Sequence, residues 1–238
     1  MSEPDIIRFE QVNKRFGGTL ALADVDLRVP SGAVVGVIGR NGSGKTTLLH
    51  HVTGLQLPTR GIVRTFGVPT PDLAQAQMAR IGVLQQHSVF PGHLRVRQLL
   101  AFMAGFYASW DHALARVLTE RSALDLEAKV GALSPGHRQR LGLVLAMSPR
   151  PALLLLDEPL ADLDPEMRRV ALDLLMERYA EDHPTVLLSS HLLHDIEPVI
   201  THVLALDRGR ITAFDEFDAL KERHGANLEQ LFPLLAGG

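Results

Sequence analysis

Gly39–Thr47 reads GRNGSGKTT, with three glycines, a lysine and two threonines in one short run. The order fits G-x-x-x-x-G-K-[ST], a pattern suited to holding a polyphosphate. Its glycines let the backbone wrap until successive N–H groups point at one anion, and a helix start behind them adds to the field. In such a loop Gly39, Arg40, Asn41, Gly42, Ser43, Gly44 and Thr47 surround the nucleotide phosphates. Lys45 reaches the β- and γ-phosphates, and Thr46 offers a hydroxyl to Mg²⁺. Further along, LLLLDEPLADLDP, Leu153–Pro165, drives four leucines into Asp157 and Glu158. A polar turn would end such a strand equally well. Beside a phosphate cradle, however, the first acid can hold Mg²⁺ through water while the second takes a proton from an attacking water. Nucleotide binding follows. The reaction does not, because kinases, GTPases and motor ATPases share this loop.

Both stretches need buried strands to position them. AVVGVIG (33–39) is apolar without alternation, as is the leucine run, and each suits a strand covered on both faces of a parallel sheet. Ligands bind beyond the carboxyl ends of such strands, where the glycines and the two acids fall. KTTLLHHVTGL repeats Leu48, Leu49 and Val52 at helical spacing, and Met167, Val170, Ala171, Leu174 and Leu175 form a second helix face. IIRFEQV and VDLRV alternate as half-exposed strands, Gly61–Val68 reads as a strand pair, and TVLLSS as another buried strand. ARIGVLQQ is a strand ending in Gln85 and Gln86, and VLALDRGRITAF is a hairpin turned at Asp207–Arg210. From Pro91 to about Ala146 the pattern is helical, with LRVRQLLAFMAGFYASW and DHALARVLTERSAL as the expected helices. On the first of these, Phe102, Phe106, Tyr107 and Trp110 are spaced so that several would share one face. NLEQLFPLLAGG is a short apolar tail.

Composition narrows the function classes. At 238 residues, 46% hydrophobic and 21% charged, the chain is globular. A net charge of −3 provides no basic field for nucleic acid. There is no cysteine for a disulfide framework or thiolate chemistry. MSEPDIIRFE lacks the basic start and apolar core of a signal peptide, and no apolar run is long enough to span a bilayer. His191 and His194 have no third ligand at suitable spacing, which argues against zinc.

Between the cradle and the acids lies LSPGHRQRLGLVLAM, Leu133–Met147, which resembles the signature segment of ATP-binding cassette (ABC) ATPases. The order of elements over about residues 6–215 is similar to a complete nucleotide-binding domain of that family. The resemblance implies an α/β P-loop NTPase of ABC type: a mixed-sheet core, an antiparallel β subdomain and a helical insertion. One domain over 1–238 would comprise a core at about 1–90 and 147–215, the insertion at about 91–146 and a tail from about 216. It implies an adenine platform at Phe16, and a glutamine loop whose Gln86 reaches Mg²⁺ and the attacking water. Asp157 would be the Walker B metal ligand, Glu158 the catalytic base, and His191 the switch histidine at the γ-phosphate. Ser134 and Gly136 would meet the nucleotide of a second subunit. Pro135, His137 and Ala161 depart from the family pattern, which has glycine, glutamine and serine there. Proline suits a first helical turn and Ser134 suits an N-cap, so the helix start can still face a phosphate.

The same resemblance implies partners. Two cassettes sandwich two ATPs head to tail, so a homodimer, or a heterodimer with another ABC ATPase subunit, is expected, together with integral membrane permease subunits. The chain would then sit on the cytoplasmic face of the membrane. QRLGLVLAM and SSHLLHDIEPVITHVLALDRGRI look most like small bacterial ABC-2-type exporter subunits. An importer ATPase and a soluble assembly ATPase are the alternatives.

Overall fold

The computed structural model describes residues 5–236, so Met1–Pro4 of the N-terminal stretch and the two closing glycines of the tail lie outside it. The chain forms two compact units, one from the residues up to Met78 with those from Thr185 onward, the other from Ala79–Pro184.

The first unit contains two sheets. In one, β1 (Asp5–Phe16) lies between β2 (Thr19–Pro30) and β4 (Arg60–Thr65), all antiparallel, with β5 (Val68–Pro69) on β4. Along β2, Leu22, Val25, Leu27 and Val29 are buried while Asp24, Asp26 and Arg28 face water. These strands run longer than their alternation suggests. Gln11 and Asp24 both adopt left-handed backbone, breaking the period-two pattern with bulges. Asn13 bridges the break: its Nδ2 donates to Asp24 Oδ1 at 2.9 Å and its Oδ1 accepts from Asp24 N at 3.1 Å. The ladder therefore continues to Phe16 and turns at Gly17.

The second sheet is mixed. β3 (Val34–Ile38), buried throughout, pairs in parallel with β8 (Thr185–Ser189) on one side and β9 (His202–Asp207) on the other. β10 (Arg210–Glu216) returns antiparallel to β9. Helices α1 (Lys45–Val52), α2 (Gln75–Met78) and α7 (Leu193–Ile196) connect the strands. The apolar tail is helical: α8 (Phe217–His224) leads to α9 (Leu228–Leu235), where Asn227 and Gln230 form a reciprocal capping box and Leu228 and Leu231 are buried.

In the second unit β6 (Ile81–Leu84) runs parallel to β7 (Leu153–Asp157), accompanied by α3 (Val96–Ala104), α4 (His112–Arg121), α5 (Pro135–Met147) and α6 (Pro165–Asp182). The helical stretch expected at about 91–146 belongs to this unit. Its first helix is shorter than expected, ending at Ala104 rather than reaching Trp110. Gly105 caps it, and a competing anchor draws the chain away. Ser109 Oγ donates to Pro149 O at 2.8 Å and Asp111 N donates to Ser148 O at 2.9 Å. Asp111 then caps α4 by accepting from Leu114 N at 2.8 Å, and its carboxylate takes Arg150 Nε at 2.6 Å. Of the four aromatics, several of them expected to share one helix face, only Phe102 is on the helix. Among the described residues no helix is long and apolar enough to cross a membrane.

Two glycines let α5 lie against β6. A Cβ on Gly82 would meet Ala146 O at 2.2 Å, and one on Gly142 would meet Leu84 Cδ1 at 2.4 Å. The first obstacle is helix backbone and cannot step aside. Gly82→Ala is therefore expected to destabilise the protein by about 1–3 kcal/mol or more, read as a drop in denaturant midpoint. An unchanged midpoint would show that this packing has slack.

Candidate functional site

In the first unit β3 ends directly in the glycine loop. Gly39, Gly42 and Gly44 have φ of 156°, 80° and 112°, values that L side chains avoid. Space forbids side chains as well: a Cβ on Gly39 would lie 2.5 Å from Leu206 O, and one on Gly44 2.7 Å from Ala21 O. Lys45, the first residue of α1, is 8% exposed, and its Nζ donates back to Gly39 O at 2.8 Å. The ammonium is thus held across the mouth of the loop rather than released to water. Ser43 Oγ is buried without a hydrogen-bond partner among the described residues, a polar atom left over for a ligand. Arg40, Asn41, Gly42 and Thr46 are exposed, and Thr47 is half-buried. Phe16, at the end of β1, is 47% exposed with Lys14 Nζ 4.9 Å from its ring centroid, so a flat aromatic face is open to a base. His191, just past β8, is exposed.

Sequence reasoning missed two residues here. Gly209, in the β9–β10 turn, donates its N–H to Ser43 O at 2.8 Å and has a φ of 77°. The Asp-Arg-Gly turn signalled the hairpin, but nothing local signalled the loop it supports. His51 is fully buried on the inner face of α1, with Nδ1 donating to Thr47 O at 2.7 Å and Nε2 lacking a hydrogen-bond partner. Burial is the main cause that pushes its pKa below the ordinary value, so the ring is neutral.

The second unit carries the acids. Asp157, the last residue of β7, is 4% exposed, and Glu158 beside it is 6% exposed. Glu158 takes a φ of 50°, a conformation that costs a non-glycine residue about 1–3 kcal/mol. Its carbonyl is held by two donors, Gln139 Nε2 from α5 at 2.9 Å and Ala161 N at 3.1 Å. Gln139, itself buried, was not singled out from the sequence, because on α5 it reads as one more polar helix residue. The same helix begins at the signature. Ser134 is the N-cap of α5 and Pro135 its first residue. A Cβ on Gly136 would stand 2.6 Å from Asp162 O, so this glycine permits the helix start to rest on the loop after β7. Gln86 is exposed past the end of β6 and lines a cavity of about 330 Å³ with Pro135, Arg138, Gln139 and Asp162. Within this unit the glutamine, the signature turn and the post-β7 loop therefore meet around one space.

A family model described as ABC transporter matches residues 22–161, which include the glycine loop, the signature and both acids. The chain belongs to the ABC transporter family. Among its relatives, the bacitracin transport ATP-binding protein BcrA of Bacillus licheniformis is 34% identical over 230 residues, covering 94% of this chain and 74% of the relative. Nod factor export ATP-binding protein I of Burkholderia lata is 35% identical over 209 residues, covering 86% and 68%. A solved ATP-binding subunit of an ABC transporter superposes with a TM-score of 0.85 at 25% identity, covering 95% of this chain and 98% of that one. This ABC chain is an ATP-binding, ATP-hydrolysing transporter subunit.

The neutral, buried His51 links the stability of this ABC subunit to pH. Its folded pKa lies below the ordinary 6.5, so its contribution is complete above that value and falls as the unfolded state takes up the proton below it. The melting temperature of the wild type should drop more between about pH 7.5 and about pH 5.5 than that of His51→Gln. Parallel curves would remove His51 from the acid response.

Proposed function

We propose that this subunit hydrolyses ATP held between two cassettes and drives a separate membrane permease, in the export direction. The observation that carries the proposal is the loop: three positive-φ glycines with Lys45 bridged to Gly39 O. Its wrapped backbone and the buried Lys45 ammonium suit the triphosphate, and the exposed ring of Phe16 suits adenine. Thr46, Gln86 and Asp157 supply hydroxyl, amide and carboxylate oxygens, a hard donor set that fits Mg²⁺. Bound there, Mg²⁺ would neutralise charge on the phosphate oxygens. Lys45 draws charge from the β- and γ-phosphates, and Glu158 accepts a proton from the water that attacks the γ-phosphorus as ADP leaves. Gln86 orients that water, and His191 donates to the γ-phosphate. Ser134 and Gly136 reach the nucleotide of the second copy from the start of α5, where amides and helix dipole favour an anion. The partner cassette is a second copy or a related subunit.

Export is supported by relatives named for bacitracin transport and Nod factor export. The permease is the membrane tether, holding the subunit on the cytoplasmic face. For its docking, the exposed apolar surface of the second unit offers Phe102 and Phe106, 55% and 56% exposed and packed edge to face at 5.1 Å. Exposed aromatic pairs of this kind commonly mark an interaction surface.

Glu158→Gln is expected to keep ATP affinity while slowing turnover roughly 10²–10⁴-fold, whereas Lys45→Ala loses nucleotide binding itself. Calorimetry with single-turnover kinetics separates the two, and equal loss of binding in both would refute the division of roles. A second expectation concerns docking. Phe102→Glu with Phe106→Glu should abolish co-purification with the permease yet leave the isolated subunit's ATPase rate unchanged. Undiminished co-purification would move the docking surface elsewhere.

A further inference from the structure

His137 stands where the family has glutamine, and its place in the structure gives it a specific relation to Ser134. The Ser134 hydroxyl has one hydrogen and two lone pairs. One lone pair accepts the His137 backbone N–H at 3.2 Å, as an N-cap should. The ring of the same histidine folds back so that Nδ1 lies 2.6 Å from Oγ. One hydrogen occupies that short gap, and its owner decides what serine presents to the outside. If Nδ1 is bare, the serine hydrogen points into the ring and only a lone pair is left to face an incoming phosphate, which repels it. If Nδ1 carries the hydrogen, it donates to Oγ and the serine hydrogen is free to bond a phosphate oxygen.

We propose that His137 is a positioning residue: by holding a proton on Nδ1 it turns the Ser134 hydroxyl outward, toward the triphosphate of ATP bound to a second copy. The inference rests on the assignment of Ser134 to a partner's nucleotide, made above. Pro135 sharpens the need for it. Proline removes one amide from the helix start, so the hydroxyl is a larger share of the donors left there.

The surroundings weaken the ring's hold on a second proton. Burial first, and then Arg140 one turn along, hold the His137 pKa below the ordinary range. Arg140 is itself occupied, with Nη1 donating to Ser122 O at 2.6 Å, and Arg138 Nη2 donates to Leu133 O at 3.3 Å. The loop after β7, packed on Gly136, presents the Asp162 carbonyl at that contact, and the acidic side chains on that loop are Glu158, buried, and Asp162 and Asp164, both exposed. An approaching triphosphate opposes the charge of Arg140 and favours a proton on the ring. A neutral ring divides its one hydrogen between Nδ1 and Nε2, whereas the cation always carries Nδ1–H, so closing of two copies on nucleotide favours proton uptake and strengthens as pH falls.

The test follows closure of the full chain with adenosine 5′-(β,γ-imido)triphosphate and Mg²⁺ by light scattering, for wild type, His137→Gln and Ser134→Ala. Nucleotide binding to the monomer is measured separately by calorimetry. The wild type is expected to need about three- to sixfold less nucleotide for half-closure at about pH 6 than at about pH 8, the effect of one unit of pKa difference between open and closed states when the open-state value lies below 6.5. Groups common to all three proteins cancel in the comparison. His137→Gln, whose amide donates to Oγ at every pH, should close as readily as the wild type at low pH and lack its extra pH dependence. Ser134→Ala should close poorly and lack it too, because the ring acts only through the hydroxyl. A pH dependence that survives in Ser134→Ala, or is shared equally by His137→Gln, would overturn the proposal. Failure of the wild type to close at any pH, despite nucleotide bound to the monomer, would instead overturn the two-copy assignment on which it rests.

Discussion

The Ser43 carbonyl and the Gly209 N–H, 2.8 Å apart, tie the glycine loop to the β9–β10 turn, and the phosphate binding proposed for the loop depends on that tie. Gly209 O in turn accepts from Ala23 N at 2.8 Å, so strand β2 is drawn against the same turn. Cβ atoms on Gly44 and on Gly209 would each crowd Ala21 O, at 2.7 and 2.6 Å. Three segments distant in sequence are thus packed with no room for side chains. A loop whose amides must all point at one anion has few conformations, and each residue fixed costs about 1–2 kcal/mol of backbone entropy. Here the fold bears that cost before any ligand arrives, which is the physical meaning of a preorganised site.

A comparable economy operates around the acids. Glu158 is kept in a left-handed conformation by donors to its carbonyl from Gln139 and Ala161, so strain at the end of β7 is sustained by α5. The same helix begins at Ser134, with Gly136 resting on Asp162. One helix therefore connects the residue proposed to activate water and the turn proposed to meet a partner's nucleotide.

Most of this was legible in the sequence, for identifiable reasons. Unbroken apolar runs marked β3, β7 and β8, because strands covered on both faces have no polar positions. The glycine spacing marked the cradle, because only glycine adopts its backbone. Ser134–Pro135 marked the start of α5, because proline and an N-cap hydroxyl both favour a first turn. What escaped was decided by partners remote in sequence. Helix α3 stops at Ala104 because Ser148 and Pro149 capture Asp111 and Ser109. Strands β1 and β2 outrun their alternation because Asn13 bridges to Asp24. Gly209, Gln139 and the fold-back of His137 matter through single hydrogen bonds that no local pattern announces. The departures of Pro135 and His137 were visible as departures; that the ring engages the neighbouring hydroxyl was not.

In the proposed function the backbone amides of the glycine loop bind the phosphates. Amide hydrogen exchange with and without saturating Mg²⁺ and the imido analogue of ATP tests it directly. Residues 39–47 should exchange more slowly with nucleotide, and residues 134–138 should follow only at protein concentrations where two copies associate. Exchange in 39–47 that ignores saturating nucleotide would show that the loop does not hold the phosphates.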